Sequence, residues 1–182
     1  MKPLIFFIFF GVSACTSRHN PAITTLDLSN KKLTAIPDSV FSLDQLQHLQ
    51  LGNRFTSYPP LSSLGEQHST DDSMNKITII PNDIIRLRHL RTLGFCFNDL
   101  NTLPDDLIKL ENLDTLDISF NYRLKIKREL SVLQQMKGLK YLNIMATGTD
   151  DDSIDELRKL IPKTKIYAKL EDIKIDAIKT SE

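Results

Sequence analysis

Apolar residues that return at a fixed interval constrain this chain more than any other feature. Ile23-x-x-Leu26-x-Leu28 recurs as Leu46-x-x-Leu49-x-Leu51, Leu90-x-x-Leu93-x-Phe95, Leu113-x-x-Leu116-x-Ile118 and Leu139-x-x-Leu142-x-Ile144. The interval is 23 residues from Ile23 to Leu46 and from Leu90 to Leu113, and 26 from Leu113 to Leu139. The 27 Leu and 19 Ile among 182 residues are largely a count of such positions. A period of this size means stacked units sharing one continuous core, because no single unit buries its apolar side alone.

Each part of the unit has a physical role. The x-Leu-x-Leu stretch alternates in and out, so it predicts a short strand with one buried face. Stacking aligns these strands in a parallel sheet, and the apolar side of that sheet needs cover. Leu103-Pro104-Asp105-Asp106-Leu107-Ile108-Lys109-Leu110 supplies it, with apolar residues at i, i+3, i+4 and i+7. Pro followed by acids suits a helix's first turn. Ile36-Pro37-Asp38 and Ile80-Pro81-Asn82-Asp83 repeat that chemistry. Asn98 and Asn121, at the ninth position of their units, are placed to bond backbone groups that the turn leaves unpaired. Lys31 and Thr147 replace Asn in the first and last clear units, where more solvent reaches the turn.

The pattern L-x-x-L-x-L-x-x-N-x-L resembles the leucine-rich repeat family. That resemblance implies an α/β solenoid over residues 23–167, with about five repeats. Its curved parallel sheet would lie on the concave side and its short α or 3₁₀ helices on the convex side. The segment Asp155 to Tyr167 resembles the last helix and strand of ribonuclease-inhibitor-like repeats, and Asp150, Asp151 and Asp152 suit the start of that helix. Residues 168–182 form a C-terminal tail that the pattern does not place.

One stretch breaks the period. Leu46 and Leu90 are 44 residues apart, close to two units. A complete extra unit would put Gln67, Thr70 and Asp72 at inward strand positions, and burying Asp72 unpaired is costly. The sequence therefore favours one unit with an insertion near 52–74, resuming at Asn75-Lys76-Ile77 and closing with Ile80-Pro81. Long loops of this kind are often functional. Phe55 and Tyr58 are its candidate contact residues, either tucked against the solenoid or projecting towards a partner.

Residues 1–14 read as an export signal. Lys2 is followed by nine mostly apolar residues, Leu4 to Val12, which as a helix span about 14 Å against a bilayer core of about 30 Å. Val12-Ser13-Ala14-Cys15 resembles the lipobox of bacterial lipoproteins, with Val where Leu is commonest. That resemblance implies lipidation of Cys15 and membrane attachment, since two or more acyl chains anchor firmly. Residues 15–22 are then a polar tether. Thr16 rather than Asp after the cysteine points to the outer membrane of a bacterial envelope. No acidic run follows, so the expected side is periplasmic.

Composition narrows the function. Twenty-three basic and 23 acidic residues give zero net charge, which excludes a broad electrostatic claim on nucleic acid or acidic lipid. Two cysteines exclude a disulfide scaffold and a four-thiolate zinc site. His19, His48, His68 and His89 fall in no metal-binding or nucleophile-base spacing, and no G-x-S-x-G occurs. The expectation is a non-enzymatic module with no cofactor, metal, nucleic acid or small-molecule substrate. It would bind a protein or peptide through its concave face. Alternation places Thr25, Asp27, Ser29, His48, Gln50, Gly52, Thr92, Gly94, Cys96, Thr115, Asp117, Ser119, Tyr141, Asn143 and Met145 there. The candidate contacts are His48, Gln50, Thr92, Cys96, Asp117, Tyr141 and Asn143, with Tyr141 the best anchor. A structural envelope component without a discrete ligand is the alternative. Cys96 is expected to be an inert small hydrophobe rather than a reactive thiol. Phe97 and Phe120, in consecutive units, are expected to pack into the core, although their spacing also allows an exposed stack. Arg86, Arg88, His89 and Arg91 form one basic cluster, and Arg123, Lys125, Lys127 and Arg128 another; both are expected to be solvated faces, with contact to anionic headgroups the alternative.

Overall fold

A computed structural model describes residues 22–53 and 73–173. Six three-residue strands form one parallel sheet in chain order. They are β1 (Thr25–Asp27), β2 (His48–Gln50), β3 (Thr92–Gly94), β4 (Thr115–Asp117), β5 (Tyr141–Asn143) and β6 (Lys165–Tyr167). The predicted strand leucines are in register: Leu26 faces Leu49, which faces Leu93, then Leu116, Leu142 and Ile166. All six point into the core, and Leu93, Leu116 and Leu142 are fully buried. β2 pairs directly with β3, from His48 opposite Thr92 to Gln50 opposite Gly94.

The other side of the core is closed by helices of two kinds. Units one to three use 3₁₀ helices at Asp38–Ser42, Asn82–Arg86 and Asp105–Lys109, each entered from a proline in extended conformation. Each begins where the Pro-acid signal predicts, and each ends before a leucine that turns the chain back. The last two units use full α-helices, α1 (Ile126–Gln135) and α2 (Asp151–Leu160). The 26-residue spacing from Leu113 to Leu139 is the sequence trace of α1, since three extra residues make room for a longer helix. α2 starts at the acidic run, where the Asp150 carboxylate accepts the Ser153 N–H at 2.8 Å and caps the helix. The Ser153 hydroxyl first, and then this N–H, hold the Asp150 carboxyl below its usual range.

Asparagines run through the turns behind the sheet. Asn121 is fully buried; its oxygen accepts the Leu100 N–H, and its NH2 donates to the carbonyls of Phe95, Ile118 and Ser119. Asn98 bonds the Ile77 N–H and the Leu51 and Phe95 carbonyls in the same way. Each side chain stitches its own unit to the preceding one. Asn75 continues the ladder, accepting from Lys31 and Leu33 and donating to Leu28 and Leu51. It therefore does for the second unit what Asn98 does for the third, although 29 residues separate it from Leu46. Asn53 closes the gap. Its oxygen accepts the Asn75 N–H at 2.7 Å, and its NH2 donates to the Asn75 carbonyl at 2.9 Å and to that of Phe97.

The residue before Lys31, Asn98, Asn121 and Thr147 is left-handed: Asn30, Phe97, Phe120 and Ala146 have φ of 53°, 56°, 55° and 52°. For bulky residues this conformation is strained. It corrects the expectation for Phe97 and Phe120. Neither joins the core; both are half-buried, and their rings stack at 3.9 Å with 13° between planes. Tyr122, 64% exposed, meets Phe120 edge-on at 6.4 Å. The left-handed turn swings each Phe out of the stacked interior onto the solenoid's edge, where identical positions in adjacent units come within stacking distance.

Candidate functional site

The residues flanking each inward leucine form two rows on the concave face. One row runs Thr25, His48, Thr92, Thr115, Tyr141, Lys165, and the other Asp27, Gln50, Gly94, Asp117, Asn143, Tyr167. All the strand residues among the expected contacts lie in these rows. Lys165 and Tyr167 belong to them too and were missed, although the alternation around Ile166 in Lys-Ile-Tyr is the signal that finds them. The Lys165 ammonium lies 5.6 Å from the centre of the Tyr167 ring, a cation–π distance.

The rows are uneven in height. At the centre Gly94 has no side chain, and the Gln50 carboxamide lies down over it; a Cβ on Gly94 would stand 1.6 Å from Gln50 Oε1. Beyond β2, Gly52 backs onto the Cys96 peptide, where a Cβ would come within 2.7 Å of its nitrogen. His48 is exposed, and its Nδ1 lies 3.0 Å from Thr92 Oγ1. The C-terminal end rises, with Tyr141 at 47% exposure beside β6. The face is thus a shallow polar floor with an aromatic step at one end.

Some candidates are committed to the scaffold. Asp117 Oδ1 accepts the Ser119 N–H at 3.0 Å and its hydroxyl at 2.6 Å. Asp27 does the same for Ser29, and the Asn143 oxygen takes the Met145 N–H. These are strand-ending turns, so a partner meets only what remains of each side chain. Cys96 sits just past β3, half-buried. Burial, with the nearby Asp117 charge, pushes its thiol up to about 12, and the Ser119 hydroxyl offsets part of this. The thiolate is the reactive form. In a Cys15→Ser chain, where Cys96 is the sole thiol, alkylation at pH 8 is expected to run at least about 100-fold slower than in a free cysteine peptide. Labelling at the peptide's rate would refute this. Cys15, Phe55 and Tyr58 lie outside the described residues.

The two basic clusters separate. Arg88, His89 and Arg91 stand in the turn that leads into β3, at the strand-start rim. Arg123 and Lys125 stand between β4 and α1, at the opposite rim. Among the described residues no group of three His, Cys, Asp or Glu is placed to hold a metal ion.

No protein-family model matches the chain, and no curated protein matches it. Solved structures do. A leucine-rich repeat protein of Leptospira interrogans is 28% identical, with a TM-score of 0.53 over 78% of this chain. The fold is a leucine-rich repeat solenoid. This chain spans only 36% of the Leptospira protein. The leucine-rich repeat ectodomain of the receptor kinase SOBIR1 from Arabidopsis thaliana shares the solenoid at 18% identity and a TM-score of 0.51, over 79% of this chain and 67% of that one. At that identity the likeness concerns architecture alone. In this solenoid the concave sheet face is where exposed side chains from consecutive units come together.

Proposed function

We propose that the chain is a lipid-anchored, non-enzymatic binding module that holds a protein or peptide on its concave face. The observation that carries this is the floor itself: six strands present side chains at even spacing, low over Gly94 and high at Tyr141 and Tyr167. An extended peptide fits such a surface, its backbone near the low centre and an apolar side chain against the tyrosines. Tyr is favoured at binding hot spots because it buries a large area at low entropic cost. Attachment through Cys15 rests on the Val12-Ser13-Ala14-Cys15 motif and the polar tether after it. The bacterial outer membrane is its proposed location.

Affinity capture from envelope extracts, using the whole chain, tests the module. Tyr141→Ala with His48→Ala is expected to reduce recovery of the specific partner at least about tenfold, the size of one lost hot spot. Undiminished recovery would move recognition to the loop, and the absence of any specific partner would favour a passive envelope component. A parallel arm concerns the anchor. Cys15→Ser is expected to shift the protein from the membrane to the soluble fraction, and continued membrane association would overturn lipidation.

A further inference from the structure

The chain enters the solenoid at a distinctive edge. Ala22 to Thr24 lead into β1, and the Thr24 carbonyl accepts the N–H groups of Gln47 and His48 at the start of β2. The described chain therefore begins on the strand-start rim. That rim is built by the turns before each strand, residues 43–47, 87–91, 110–114, 136–140 and 161–164. Five cations stand there, Arg88, Arg91, Lys137, Lys140 and Lys163, against Asp44, Glu111 and Asp114. Arg91 and Lys140 flank Asp114 at 4.0 and 3.8 Å, leaving Arg88, Lys137 and Lys163 with no ion pair among the described residues. Two hollows open between the same turns. One of 310 Å3 is walled by Ile108, Leu110, Leu113 and Met136; one of 200 Å3 is walled by Leu139, Leu160 and Ile161; Lys137 borders both. The opposite rim also carries cations, Arg123 and Lys125 among them, but sets them beside the acidic run Asp150 to Asp152; it holds the Phe97–Phe120–Tyr122 aromatic row and the ends at Asn53 and Asn75 as well.

We propose that the strand-start rim is a membrane-contact surface that rests on anionic lipid headgroups. This deepens the anchor reading and depends on it for the tether. Six residues lie between Cys15 and Ala22, so the two are at most about 25 Å apart along extended chain and an anchored Cys15 keeps this rim near the headgroups. Lys and Arg near an anionic leaflet are each attracted to it, within a Debye length. Lys137 and Lys163 flank the hollows, so their charges meet the headgroup phosphates. The strands then run away from the membrane. The concave face opens sideways, and the aromatic row and insertion ends point outward.

The test supplies its own tether. A hexahistidine tag before Thr16, on the chain running from Thr16 to Glu182, is bound to nickel-chelating vesicles of phosphatidylcholine, with or without about 30 mol% phosphatidylglycerol. Lysine reactivity towards a soluble acylating reagent is read by mass spectrometry. On anionic vesicles Lys137, Lys140 and Lys163 are expected to react at least about threefold more slowly, while Lys125 and Lys127 keep their rate. High salt is expected to abolish the difference. In Lys137→Glu with Lys163→Glu, Lys140 is expected to lose its protection. Equal change on both rims, slowing at Lys125 and Lys127 instead, or protection that survives the double reversal overturns the proposal. Because the tag replaces the lipid, failure here is distinct from failure of the Cys15→Ser fractionation.

Discussion

Asn121→Ala is expected to destabilise the solenoid by about 3 kcal/mol, read as a lowered denaturant midpoint at unchanged slope. The wild-type side chain is fully buried and serves four backbone groups in two adjacent units. Alanine leaves the Leu100 N–H and the Ile118 carbonyl facing a small apolar gap, while the Ser119 carbonyl keeps the Phe97 N–H and the Phe95 carbonyl keeps the Asn98 NH2. An unsatisfied buried group costs about 1–3 kcal/mol, and partial relaxation keeps the total below the simple sum. Asn121→Asp is expected to be at least as damaging, because a second oxygen replaces the NH2 that three carbonyls accept from. A loss under about 1 kcal/mol for alanine would mean that the ladder contributes little and that apolar stacking alone holds the units together.

The second large effect lies on the convex side. Glu129 is 3% exposed in the first turn of α1. Its carboxylate accepts the Leu103 N–H at 3.0 Å and the Thr102 hydroxyl at 3.1 Å. Leu103 opens the 3₁₀ segment of the preceding unit, so one side chain pins α1 to its neighbour and satisfies a buried donor. Glu129→Ala is expected to cost about 2 kcal/mol through that orphaned N–H. Glu129→Gln is expected to recover most of it, since the amide oxygen still accepts from Leu103 and the Thr102 hydroxyl can turn to accept from the new NH2. Equal losses for Ala and Gln in chemical denaturation would show that negative charge, not acceptor geometry, is what the site requires.

Glu129 also shows where sequence reasoning stops. The strand leucines and the Pro-acid helix starts repeat at a fixed interval, so periodicity alone locates β1 to β5 and the three 3₁₀ helices. The same interval places Asn98 and Asn121 in the turns. Glu129 has no counterpart in other units, and nothing in its local sequence distinguishes it from a solvated helix charge. α1 was visible only as three surplus residues. Asn75 is far from Leu46, yet the sequence pattern resumes there, 23 residues before Asn98, which leaves only its hydrogen-bond partners illegible. On the candidate face, alternation assigns which side chains point outward. It does not reveal that Asp117 and Asn143 bend to their own turns or that Gln50 lies over Gly94, because those depend on contacts one or two residues beyond the strand. The stacking of Phe97 on Phe120 is not legible for a related reason: a left-handed backbone at a bulky residue leaves no trace in hydropathy.

The Asn53–Asn75 clasp makes the second unit a socket. Its two hydrogen bonds restore at the base of the insertion the continuity that the sheet and ladder need, and β2 and β3 pair as if 54–72 were not between them. Whatever sequence hangs from the clasp is then only weakly coupled to solenoid stability: doubling its length adds about 0.6 kcal/mol of closure entropy. Selection can therefore rewrite that segment in length and composition while the repeats around it stay the same. A graft of foreign peptide between Asn53 and Asn75 would be carried on the rim opposite the tether.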